Sequence, residues 1–184
     1  NVLFPILRSS LPMRAFVTLI VAIVYSFTDS KHRGTPPVNV DKIITDGEVI
    51  ELGEIRLTVL VTPGHTAGSS SYTMQVTEGG RDYFVAIANM GSVNPGKQLV
   101  VDPTYPGVAD DFAETFRKQK ALDVDVWVSA HGSQYGLHDK YQTGQDYDSQ
   151  TFVDPDGFLA AVERLEQLYL DLLYQKKNHH QILY

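Results

Sequence analysis

Residues 47–88, GEVIELGEIRLTVLVTPGHTAGSSSYTMQVTEGGRDYFVAIA, set the strongest constraint on the fold. Ile55, Leu57, Val59 and Val61 alternate with Arg56, Thr58 and Leu60 after a turn at Gly53-Glu54, which is the period of a half-buried strand. Residues 69–77 and 82–88 predict a hairpin closed across EGGRD. Between the first strand and this hairpin lies a short Gly-rich loop, with His65 held between Gly64 and Gly68. One histidine at a strand end suggests a metal ligand, but a single imidazole cannot hold a catalytic metal.

Downstream, the Gly/Pro-rich stretch 89–107 is too long for a simple connector and is a candidate site element. Asp110 or Asp111 is expected to cap a helix running to about Ala121. VDVWVSA, residues 124–130, predicts a short apolar strand leading into the loop HGSQYG. Asp154 and Pro155 suit the N-cap and first position of a last helix. Phe158, Val162, Leu165, Tyr169 and Leu172 lay a core stripe along it. Strands alternating with helices, without internal repeats, predict an α/β layered domain.

Composition narrows the function classes. With 184 residues, 43% hydrophobic and 20% charged, the chain suits one globular domain. A net charge of −7 argues against a nucleic-acid partner. The absence of cysteine excludes disulfides, thiolate zinc sites and cysteine nucleophiles.

The chain begins at Asn1, so a processed chain or a piece of a longer reading frame is expected. Residues 15–25 are apolar and uncharged, and Ala15 to Phe27 as a helix would span only about 20 Å. No membrane span is expected from them, since a bilayer core is about 30 Å thick. They suit a signal-peptide core, which would place the protein in the periplasm or outside the cell, or a buried element of the fold. Residues 1–26, signal-like or a remnant, are set apart from a domain at 27–184.

His131 repeats the placement of His65. It follows the strand ending near Ser129 and is flanked by Ala130 and Gly132. Small neighbours let the backbone turn tightly and aim an imidazole into a cleft. These segments resemble a known family. TPGHTAGS is similar to the second metal-binding motif of the metallo-β-lactamase superfamily, and SAHGSQYGLHDKY to the last histidine loop of its β-lactamases. IANMGSVNPGKQLV, FVDPDGF and PPVNVDKIITDGEVIELGEIRLTVLVTPGHT resemble segments of the third subclass of class B, the dizinc enzymes. The resemblance runs from about Phe27 to Tyr174.

The resemblance implies an αβ/βα sandwich, of which this chain carries mainly the second half. It implies two zinc ions and a small-molecule β-lactam substrate, hydrolysed at its amide bond by a metal-bound hydroxide. His65 would be a ligand of the first zinc and His131 of the second. Ser92 matches a position that contacts the substrate carboxylate; the other reading of it is a loop hydroxyl bonded to its own backbone. The lack of cysteine separates the chain from the other subclasses. Asn89 stands where thioesterases of the fold place a bridging aspartate, which disfavours that third reading.

The family's first motif, H-x-H-x-D-H, does not occur. Residues 1–26 contain no histidine or aspartate, and His32, His138, His179 and His180 do not recreate its spacing. His138 is expected at the surface, and KKNHH in a solvated, frayed tail. A non-catalytic relative, acting at most as a binding module, is therefore the alternative to the hydrolase. The inner sheet face would pack on the missing half in the family; exposed, it would be a large apolar patch of the kind that drives association. Oligomeric state is not fixed by the sequence.

Overall fold

The computed structural model describes residues 42–182. The apolar segment 1–26, the start of the Pro-rich stretch and His32 lie outside them. The described strands are β1 (Val49–Leu52), β2 (Ile55–Val61), β3 (Ser70–Glu78), β4 (Arg81–Ala88) and β5 (Val126–Ser129). Helices α1 (Val108–Lys120), α2 (Leu137–Lys140) and α3 (Pro155–Ile182) alternate with the later strands.

The strands form one sheet in sequence order, antiparallel except for the parallel pair β4–β5. A parallel pair needs a crossover, supplied by loop 89–107 and α1. This is the α/β architecture expected from the alternation of elements, with the hairpin and the long loop where the sequence predicts them.

Helix α1 forms because Val108, Phe112, Thr115, Phe116 and Gln119 recur at helical spacing and are buried. Gly107, at φ 85°, is its N-cap. Asp110 and Asp111 are thus not caps, as the sequence suggests; they sit in the first turn, while Arg117, Lys118 and Lys120 occupy the last. Both sets complement the helix dipole. Asp154 does cap α3, accepting the Gly157 N–H at 3.0 Å. The helix runs through KKNHH instead of fraying before it.

Helices α1 and α3 cover one sheet face. Ala86, Ala88 and Trp127 pack there with Phe112, Phe116, Phe158, Val162 and Tyr169. The cross-strand pairs Val59–Tyr72, Tyr72–Ile87 and Met74–Val85 share the other face. Val59 is 0%, Tyr72 8%, Met74 5% and Ile87 5% exposed. Apolar surface of this extent is strongly favoured out of water.

A polar clip fastens the end of β2 to α1. Asp46 accepts the Val61 N–H at 2.7 Å, and Lys118 Nζ donates to Asp46 at 2.9 Å and to the Val61 carbonyl at 3.0 Å. The Lys118 bond, then that of Val61, holds the Asp46 carboxyl below its ordinary range. A depressed folded-state value stabilises the fold above the unfolded value, near ~4, and is lost as pH falls through and below it. Denaturant unfolding at pH 7 and pH 3 is expected to show this loss, blunted in Lys118→Met. The effect is modest because Asp46 is half exposed.

Candidate metal centre

Strand β3 is antiparallel to both β2 and β4, so β2 and β4 run the same way, and β5 runs parallel to β4. The C-terminal ends of β2, β4 and β5 therefore share one end of the sheet. His65 follows β2, segment 89–92 follows β4 and His131 follows β5. Loops at such an end collect functional groups while the sheet holds them rigid.

His65 is partly buried, and its Nδ1 lies 2.8 Å from the carbonyl oxygen of Ser92. A carbonyl only accepts, so Nδ1 carries the proton and Nε2 is the nitrogen left for a metal. This is how second partners fix the tautomer of a metal-binding histidine. Gly64, at φ 123°, makes the turn possible and lies against Phe112. Gly91 lies still closer to the ring: a Cβ there would fall 2.4 Å from His65 Cβ.

His131 is exposed immediately after β5. Its backbone N–H donates to Gln134 Oε1 at 3.3 Å, and Gln134 Nε2 donates to the Met90 carbonyl at 2.9 Å. The structure thus joins His65 directly to Ser92 and His131, through Gln134, to Met90. Ser92 is exposed, and it is its backbone carbonyl that meets His65. His138 is exposed on α2, as expected.

Asn89 has a scaffolding task. Its N–H donates to Ser71 Oγ at 2.9 Å, and its side-chain amide donates to the Thr62 carbonyl at 3.0 Å. Its own carbonyl accepts from Gln119 Nε2 at 2.9 Å. Farther along the loop, the Lys97 ammonium lies 5.6 Å from the Tyr105 ring centroid. The Tyr105 hydroxyl is buried beside Asp111 and the Gly64 backbone, and burial, then Asp111, pushes its pKa up.

Sequence reading finds the two histidines and Ser92 but misses Gly91, Gln119 and Gln134. Gly91 lies in the stretch 89–107 already singled out, while nothing in the sequence marks Gln119 or Gln134 as joining three loops.

A catalytic zinc takes three protein ligands and an open position. Among the described residues no group of three or more histidine, aspartate or glutamate side chains could hold a metal. One histidine for each of two ions does not fit a zinc centre by itself.

No protein-family model matches the chain. Among solved structures it is similar to the metallo-β-lactamase GOB-18 from Elizabethkingia meningoseptica, with 40% identity and a TM-score of 0.72. That match covers 76% of this chain and 52% of the other. It is also similar to the class B3 di-zinc metallo-β-lactamase LRA-12 from an Alaskan soil metagenome. There the identity is 33% and the TM-score 0.69, covering 74% of this chain and 52% of that one. A curated relative, the acyl-coenzyme A thioesterase MBLAC2 of Gallus gallus, is 25% identical over 146 residues, 78% of this chain and 50% of the relative. The chain spans about half the length of the proteins it matches.

Proposed function

This chain belongs to the metallo-β-lactamase superfamily and resembles the C-terminal part of its class B3 enzymes, and on that premise we propose that it is half of a β-lactam hydrolase. The observation that carries this reading is the placement of His65 and His131 at one sheet end, with His65 bonded to Ser92 and His131 linked to Met90 through Gln134. His65 is assigned to the first zinc, His131 to the second, and Ser92 to the substrate carboxylate. The remaining ligands must come from a half bearing H-x-H-x-D-H, which these 184 residues do not contain. For this chain by itself the favoured state is therefore inactive, because its sequence supplies one histidine for each ion and no H-x-H-x-D-H motif. The thioesterase reading stays disfavoured, because Asn89 is a neutral amide committed to the Thr62 carbonyl.

The experiment supplies the missing half, fused before Phe27 or added as a separate fragment. The isolated chain should hydrolyse a carbapenem or cephalosporin no faster than buffer. The assembled protein should gain chelator-sensitive hydrolysis that His65→Ala and His131→Ala lower and His138→Ala spares. Equal rates in all three variants would refute the site assignment, and hydrolysis by the isolated chain would refute the half-enzyme reading. Export to the periplasm or beyond is part of the proposal if residues 1–26 act as a signal, tested by fusing them to an export reporter.

A further inference from the structure

We propose that Gln134 is a positioning residue that couples the His131 loop to His65 through segment 89–92. The segment belongs to no strand or helix, yet three of its four carbonyls accept from side chains of other elements. Gln119 Nε2 of α1 donates to Asn89, Gln134 Nε2 of the His131 loop to Met90, and His65 Nδ1 to Ser92. A backbone stretch held in this way takes its position from those side chains, because ordinary ladder bonds are missing.

Gln134 is used at both ends of its carboxamide. Its Oε1 lies 2.5 Å from the Ser129 hydroxyl and 3.3 Å from the His131 N. The Ser129 hydroxyl is also 2.9 Å from the Ala88 carbonyl, so its one proton is shared between β4 and Gln134. The Nε2 end then fixes Met90, and Met90 and Ser92 flank the glycine against which the His65 ring packs. A shift at Met90 therefore moves both the carbonyl that His65 engages and the surface it rests on. The coupling stands on these bonds; its bearing on metal ligation rests on the function proposed above.

The test uses the full 184-residue chain, labelled with ¹⁵N and without metal, and reads the histidine ring nitrogens and backbone amides by NMR. Gln134→Glu keeps an acceptor for Ser129 and His131 but lacks the Nε2 donor to Met90. It should shift the His65 Nδ1 resonance towards an average of the two tautomers and move the amides of Met90, Gly91 and Ser92. The His131 amide and the His138 ring should hold still. Gln134→Met, which loses both ends, should move the His131 amide as well. An unchanged His65 ring in Gln134→Glu would overturn the proposal, and so would a common shift of all six histidines. Should that variant fail to fold, the wild-type chain decides: slow solvent exchange of the Gln134 carboxamide protons supports the strut, and fast exchange overturns it. A failure of the metal assignment leaves these spectra unaltered and shows only in zinc content.

Discussion

Gly91→Ala should detach His65 from the Ser92 carbonyl and, in the assembled protein, lower β-lactam hydrolysis about a hundredfold, the upper end for losing an outer partner of a metal ligand. The added methyl would fall 2.4 Å from His65 Cβ and 3.0 Å from Cγ. Both atoms are at the root of the ring, so no rotamer change relieves the clash and the backbone of one loop must move. Such overpacking costs about 1–3 kcal/mol of stability. Urea unfolding with steady-state rates would separate the two effects. A variant that keeps wild-type stability and rate would show that the loop approach is looser than described.

Phe112→Ala should be the most destabilising of the substitutions considered, by about 3–5 kcal/mol, the usual range for emptying a buried phenylalanine site. Domain stabilities are themselves only about 5–15 kcal/mol. Phe112 is 1% exposed and its ring lies 5.5 Å from Tyr169 and 6.2 Å from Phe116, joining α1 to α3. It also forms the floor beneath Gly64, where a Cβ would come 2.8 Å from Phe112 Cγ. The loss therefore reaches the His65 loop as well as the helix layer. Denaturant unfolding measures it, with Phe112→Leu expected to cost less because part of the volume is kept. A loss below about 1 kcal/mol for the alanine variant would show that the helices do not depend on this ring.

The elements legible in the sequence are those with a strong period or a stop signal. The alternation at Ile55–Val61, the EGGRD turn and the Asp154-Pro155 helix start each carry their own local cause. The start of α1 is not legible, because two aspartates invite an N-cap reading. The left-handed Gly107, whose residue type alone says little, takes that position instead. The two histidines were legible because Gly-rich loops follow strands. The bonds that hold them were not, since Gln134–Met90 and Gln119–Asn89 join residues 44 and 30 positions apart. Contacts of that range are set by strand order, which the hydrophobic period does not encode.

The central claim is that His65 and His131 are one ligand each of two different ions in a shared cleft. Zinc content of the assembled protein, measured after exhaustive dialysis, tests it most directly. The account predicts two ions per assembly, close to one in His65→Ala and in His131→Ala, and two again in His138→Ala. Two ions retained in either of the first two variants, or one lost in the third, would contradict it.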